Sequence, residues 1–206
     1  MSDEQVLITE EQAGFRHGYS TIDNIFALSS MIQKYLSKKG GKFYCFYVDF
    51  SKAYDRVQRE KLMYQLINNN IHGRMIVILR SIYRSVQARI RCESQLSDTF
   101  TCSAGLRQGC VLSPWLFAIY INELALSMKL SDGTGIFIGQ NIEDVLMLLF
   151  ADDLCLVADT IMELQKRITI LETYCDAYDM SVNLEKSKIF VFKNGGHLSK
   201  TEKWER

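Results

Sequence analysis

Val145-Leu146-Met147-Leu148-Leu149-Phe150-Ala151-Asp152-Asp153-Leu154-Cys155-Leu156-Val157-Ala158 is a pair of short apolar runs divided by two acids. Runs this short, rich in Leu and Val, fit buried strands as well as a helix segment. The acids decide between them. Inside one long buried helix they would lie unpaired against a core, at high cost. At the turn of a hairpin both carboxylates reach a shared opening while the strands stay buried. Adjacent carboxylates repel, so they need a cation or a proton to coexist. Taken alone, the pair is equally an ordinary Asp-rich turn, and the rest of the chain has to separate the two readings.

Outward from the hairpin, 206 residues make one large domain or a domain and a half. The apolar fraction of 48% and the charged fraction of 23% are those of an ordinary globular protein. Net charge is zero, so no bulk field advertises a polyanionic partner, although a local basic face can exist in a neutral chain. Six scattered cysteines without a Cys-x-x-Cys pair argue against a zinc site and for a reduced, intracellular chain. The polar, acidic start is unlike a signal peptide, and no apolar run approaches the length that spans a membrane.

Upstream, Gln12-Ala13-Gly14-Phe15-Arg16-His17-Gly18 reads as a glycine-punctuated loop. Ser20 or Thr21 then caps a helix carrying Ile22, Ile25, Phe26, Ile32 and Leu36, closed by Gly40-Gly41. The aromatic and β-branched run Phe43 to Phe50 predicts a strand with Asp49 at its end. An acid there is odd unless it faces something charged; the alternative is a turn capped with Ser51. Ser51 to Val57 makes the turn, and Arg59 to Asn69 reads as a helix burying Leu62, Leu66 and Ile67. Gly73 to Tyr83 is a second helical stretch, and Val86 to Glu93 with Leu96 to Cys102 alternate as a hairpin. Arg74, Arg80, Arg84, Arg89 and Arg91 have no acid among them: a solvated helix face, or a track for backbone phosphates.

Ala104 to Cys110 is a flexible loop leading into Ser113-Pro114, an N-cap with proline at the first helical position. That helix runs to about Leu130 with Trp115, Phe117, Ile119 and Leu124 available to pack. Gly133 to Ile138 reads as a short strand, Thr160 to Tyr178 as an amphipathic helix, and Ser187 to Phe192 as the strand closing the sheet. The expected architecture is α+β, an antiparallel sheet with helices packed on one face. If the Asp49 strand lies beside the hairpin, Asp49, Asp152 and Asp153 converge at one end of the sheet. Such a cluster holds hard cations through oxygen, and Mg²⁺ keeps waters and substrate phosphates as its other ligands. Two such ions about 3.5–4 Å apart clamp the attacking and leaving oxygens of a phosphoryl transfer.

Asp49-Phe50-Ser51-Lys52-Ala53-Tyr54-Asp55, Arg107-Gln108-Gly109 through Leu112-Ser113-Pro114, and Phe150-Ala151-Asp152-Asp153 resemble the palm motifs of reverse transcriptases. The Phe-Ala-Asp-Asp form is similar to that of non-LTR (LINE-type) retrotransposons. Gln12 to Arg16 with Ser20-Thr21 resembles a fingers-proximal motif of that family, and Asn183-Leu184-Glu185-Lys186-Ser187 its post-catalytic motif. Each motif is modest alone; five in order, from Gln12 to Phe192, are highly specific.

The resemblance implies a polymerase palm adding deoxynucleotides to a primer 3′-hydroxyl, with an RNA template, a DNA primer and two Mg²⁺ ions. Asp49 and Asp152 would be the principal metal ligands, with Asp153 in support. Backbone of Phe50, Ser51, Lys52 and Ala53 would meet the triphosphate. Tyr54 would gate against a 2′-hydroxyl, or else pack under the strand. Gln108 and Gly109 would lie near the incoming nucleotide, or merely lead into a helix. Lys186 would protonate the leaving pyrophosphate, or be a solvated lysine. Arg16, Arg80 and Arg84 are the candidate nucleic-acid contacts.

On this reading residues 1–41 are a fingers-proximal segment, 42–192 the palm with a fingers-type insertion over about 59–103, and 193–206 a polar linker. The upstream fingers and the thumb of the family are expected to lie outside this chain, which would leave primer–template binding weak. Elements of this kind copy themselves at chromosomal DNA, which implies the nucleus. Three alternatives stay open. An RNA-templated RNA polymerase is disfavoured by Tyr54 and Ala151, and a metal-dependent nuclease lacks a His or Glu base. A non-catalytic palm remnant would bind nucleic acid or partners without turnover.

Overall fold

A computed structural model of the chain describes residues 8–131, 135–136, 145–195 and 197–198. Its centre is a four-stranded antiparallel sheet of order β6-β7-β1-β8, built from Met147–Phe150 (β6), Asp153–Ala158 (β7), Lys42–Val48 (β1) and Lys188–Lys193 (β8). The hairpin β6-β7 pairs Phe150 with Asp153, so Ala151 and Asp152 alone form its turn. Strand β1 runs beside β7 with Tyr44 opposite Ala158 and Val48 opposite Leu154. One further step in that register sets Asp49 across from Asp153.

The near-continuous apolar character of these strands follows from burial on both faces. Tyr44, Val48, Leu154, Leu156 and Ala158 point to the main core, shared with the helices Arg59–Asn68 (α3), Ser113–Leu130 (α5) and Ile161–Tyr178 (α6). Phe43, Cys45, Cys155 and Val157 point the other way, where Met31, Leu28 and Ile32 of Thr21–Leu36 (α1) cover them. The helices expected on one face are there, and α1 adds a layer to the opposite face. Of the apolar residues read along α1, Ile22, Ile25 and Phe26 are exposed and Ile32 and Leu36 are half-buried; the fully buried one is Met31, which the sequence reading leaves out. In α3 the outcome is similar: Leu62 and Leu66 are buried as expected, but Ile67 is exposed, and Met63 and Gln65 take its place inside.

Helix α5 is apolar on nearly every side because it is enclosed on nearly every side, from Leu116 to Met128. Ser113 lies inside its first turn rather than at the cap, and its hydroxyl donates to the Arg107 carbonyl at 2.6 Å. Thr160 does cap α6, its hydroxyl accepting from the Glu163 N–H at 3.2 Å. The stretch after β1 contains a single helical turn, Ala53–Arg56 (α2). Helix α4 (Arg74–Arg84) packs on α3, and beyond it the expected hairpin is a thin exposed arm of two-residue pairs. In that arm Gln87–Ala88 (β2) pairs Phe100–Thr101 (β5), and Arg91–Cys92 (β3) pairs Gln95–Leu96 (β4). Most of the strand expected at 133–138 lies outside the described residues; Ile136, which is described, bridges to Val145. The same holds for most of the polar stretch 193–206. No described helix is long and apolar enough to cross a membrane.

Candidate active site

The pairing of β1 with β7 gathers the acids. Asp49 follows the last residue of β1, Asp152 occupies the hairpin turn, and Asp153 opens β7. Burial raises the Asp153 carboxyl above the usual aspartate range, and the charges of Asp152 and then Asp49 push it further the same way. Three carboxylates that repel one another in this manner favour a cation among them. Asp49 and Asp153 open onto a groove of about 450 Å³ between α1 and the sheet, which Asn24, Leu28, Tyr47 and Lys186 also line. Asp152 also lies near Tyr54, where its charge adds to burial in raising the phenol.

Among the described residues no three His, Cys, Asp or Glu side chains form a ready cage for a metal. The donors are nevertheless all carboxylate oxygen and solvent-accessible. That set suits Mg²⁺, which takes one or two carboxylates and completes its octahedron with water and substrate phosphate.

Asp49 is held from below by the segment before β8. Its N–H donates to Ser187 Oγ at 3.0 Å, and its carbonyl accepts from the Asn183 N–H at 2.7 Å. Asn183 in turn shapes the following loop: its Oδ1 accepts from the N–H groups of Glu185 and Lys186, at 3.2 and 3.3 Å. That turn carries the Lys186 ammonium to 3.8 Å from Asp49 Oδ2. The motif read in the sequence as Asn183 to Ser187 is thus one small device against the acid.

The residues after Asp49 have mixed fates. The Phe50 side chain is buried, and the Ser51 N–H donates to the Ser181 carbonyl at 2.7 Å, which leaves that amide no free proton for a phosphate. Lys52 is exposed with a left-handed backbone (φ +52°), and Ala53 is buried. Tyr54 stacks on Phe117 of α5, ring centroids 4.6 Å apart. Its carbonyl accepts from the Leu106 N–H at 2.8 Å, and Gln108 Nε2 reaches Asp55 Oδ1 at 3.2 Å. The Gly105–Gly109 loop is therefore brought against α2 and Tyr54, on the Asp152 side.

The arginines divide. Arg16 turns back onto its own loop: its guanidinium donates to the carbonyls of Thr9 and Gln12, pairs with Glu10 at 3.1 Å and lies 4.1 Å over the Tyr19 ring. Holding that loop is the work its contacts support. Arg80 and Arg84 are exposed on α4, which packs on α3 and not on the strands that carry the acids. Two residues to which the sequence assigns no role of their own stand closer to the site's architecture: Gln12, at the head of the loop motif, and Arg59. The Arg59 guanidinium donates to four carbonyls, those of Tyr83, Cys102, Ala104 and Gly105, at 2.7 to 3.2 Å, and so staples the loop that leads to Gln108.

The family model for reverse transcriptase (RNA-dependent DNA polymerase) matches residues 2–205. A Pol polyprotein from the type-1 retrotransposable element R2 of Popillia japonica is 30% identical over 185 residues, covering 87% of this chain and 26% of that protein. The probable RNA-directed DNA polymerase from transposon BS of Drosophila melanogaster is 24% identical, covering 89% of this chain and 20% of the relative. The chain thus spans about a quarter or less of the length of these relatives. Among solved structures, apo telomerase of Candida tropicalis truncated from its C-terminal domain superposes with a TM-score of 0.63 at 18% identity, over 92% of this chain and 37% of the other. Telomerase of Candida albicans, solved with a fragment of telomeric RNA, also gives 0.63, at 14% identity over 87% of this chain and 32% of that one. At those identities the likeness speaks to the fold alone, while the match over nearly the whole sequence places the chain in the reverse transcriptase family, with relatives among non-LTR retrotransposons.

Proposed function

We propose that this chain is the catalytic palm of an RNA-directed DNA polymerase that extends a DNA primer with deoxynucleoside triphosphates on an RNA template. The observation that carries the reading is the convergence of Asp49, Asp152 and Asp153 at the end of β1 and the β6-β7 turn, with Lys186 beside Asp49. Asp49, Asp152 and Asp153 would hold two Mg²⁺ ions. When bound, these supply charge neutralisation on the triphosphate and make the primer 3′-hydroxyl a better nucleophile. The residues of the chain do the rest. The stack of Tyr54 on Phe117 fixes a flat wall beside Asp152, where a deoxyribose fits and a 2′-hydroxyl is crowded. Gln108, held by Asp55, borders the space for the incoming base. As the 3′-oxygen joins the α-phosphorus and the bond to pyrophosphate breaks, Lys186 is the ammonium placed to donate a proton to the departing oxygen. In the same reading the enzyme acts at chromosomal DNA, in the nucleus.

Primer extension on an RNA template with Mg²⁺ tests this. Deoxynucleotide incorporation that disappears in Asp152→Asn is the expected result. No extension, even from a longer polypeptide carrying fingers and thumb segments, overturns it. Tight RNA binding without turnover under Mg²⁺ would favour a non-catalytic palm.

A further inference from the structure

Gln12 is a fully buried polar side chain to which polymerase chemistry at the acidic turn gives no part. Residues 11–13 run parallel to β6, with the Ala13 N–H donating to the Leu149 carbonyl and the Leu149 N–H donating to the Glu11 carbonyl, each at 2.9 Å. Past Leu149 the main-chain pairing with residues 11–13 ends, and the Gln12 carboxamide continues that ladder in its place. Its Nε2 donates to the Ala151 carbonyl at 3.1 Å, and its Oε1 accepts from the Ala151 N–H at 2.9 Å. The same oxygen accepts from the Gly14 N–H at 2.8 Å. A carboxamide is the side-chain group that presents a donor and an acceptor together, as one residue's backbone requires.

The residue so gripped is the one before Asp152. Ala151 has a left-handed backbone (φ +59°), a conformation that L residues seldom hold unaided. Gly14 lets the clamp close: a Cβ there would stand 2.2 Å from the Ala151 nitrogen. Gln12 and Gly14 come from the far end of the chain, 139 and 137 residues from the turn, so the clamp forms only when the fold is complete.

We propose that Gln12 is a positioning residue of the polymerase centre, holding Ala151 left-handed so that the Asp152 carboxylate is aimed where, with Asp49 and Asp153, it would hold a cation. This rests on the reading of Asp152 as a metal-holding acid. The roles of Asp49 and Asp153 are set by the β1–β7 pairing and do not depend on the clamp.

The test uses the full chain with Gln12→Ala, Gln12→Glu and the double variant Gln12→Ala/Ala151→Gly. In primer extension, Gln12→Ala lowers kcat by about tenfold to a hundredfold, the scale of a misplaced catalytic group. The nucleotide KM stays within about twofold, since the loss falls on the transition state. Ala151→Gly in the Gln12→Ala background recovers about fivefold, because glycine takes up a left-handed turn at little cost. Gln12→Glu, when ionised, keeps the acceptor but cannot donate to the Ala151 carbonyl, and at alkaline pH is as impaired as the alanine variant. Unchanged kcat in a folded Gln12→Ala protein overturns the proposal, as does a loss that Ala151→Gly leaves in full. Should extension fail even from a longer polypeptide carrying fingers and thumb segments, the polymerase reading fails first, and amide exchange decides the clamp. Deprotection confined to Gly14 and Ala151–Asp153 in Gln12→Ala supports it, and uniform or absent deprotection overturns it.

Discussion

Lys186 sets its ammonium 3.8 Å from Asp49 Oδ2, with both side chains open to water. An ion pair so exposed contributes at most about 1 kcal/mol to folding. The Asn183 turn that carries it is therefore better explained by what a cation does beside that acid. Lys186→Met is expected to move the melting temperature by less than about 3 °C. It should slow extension by about a hundredfold if the ammonium donates a proton. Lys186→Arg keeps the charge but holds its proton too tightly to give it up, so it should restore little. Single-turnover rates as a function of pH check this: an unaltered rate in Lys186→Met removes the proton-donor role.

Tyr54 lies flat on Phe117, rings 15° from parallel, between the acidic turn and the Gly105–Gly109 loop. A wall built on a buried phenylalanine cannot swing aside easily. Tyr54→Val opens the space it fills and should raise ribonucleotide use relative to deoxynucleotide use by about tenfold to a hundredfold. The lost stack costs about 1 kcal/mol beyond the area exposed. The ratio of kcat/KM for the two sugars is the measurement. An unchanged ratio would make Tyr54 a packing residue only.

How far these features were legible in the sequence depends on what each side chain bonds to. The acids could be read because a carboxylate interrupting an apolar run demands an explanation, and Asp49, Asp152 and Asp153 each do so. Helix α1 was read as a helix, but which of its residues would be covered could not be read. Its apolar positions go nearly all the way round, so Ile22, Ile25 and Phe26 are as good candidates as Met31 until the sheet is in place. Gln12 opens the loop motif and Arg59 opens a helix, but what either side chain grips is not legible. Their partners are main-chain groups of Ala151, Tyr83, Cys102, Ala104 and Gly105, and a backbone carbonyl looks the same in every residue.

Gly105 and Gly109 share a left-handed backbone, φ +83° and +77°, yet they differ in what surrounds them. A Cβ on Gly105 would come 2.7 Å from the Asp55 carbonyl oxygen, whereas one on Gly109 would meet nothing within 4 Å. The loop at Gly105 has nowhere to retreat, because Arg59 grips the carbonyls of Cys102, Ala104 and Gly105. Gly109→Ala should therefore cost about 1 kcal/mol, the backbone term alone. Gly105→Ala adds a clash against main chain and should cost about 3 kcal/mol. Urea unfolding distinguishes them, and equal losses would mean that the Arg59 staple yields.

Tyr120 is fully buried on α5, where its hydroxyl donates to the Tyr178 carbonyl at 2.6 Å and accepts from the Gln58 N–H at 3.2 Å. Burial pushes this phenol up to about 12, and the buried Tyr174, packed on Tyr178, shifts the same way. In the unfolded chain a phenol ionises near pH 10. Between pH 10 and about pH 12 the unfolded state has given up a proton that the folded state keeps, so stability falls as pH rises. Below pH 10 the contribution is present in full. Tyr120→Phe should flatten this alkaline slope. It should also cost about 1–3 kcal/mol at neutral pH, because the Gln58 N–H and the Tyr178 carbonyl lose their partner. Urea midpoints at roughly pH 8 and pH 11 are enough to decide. If Tyr120→Phe loses as much stability between those two values as the unsubstituted chain does, another buried phenol sets the slope.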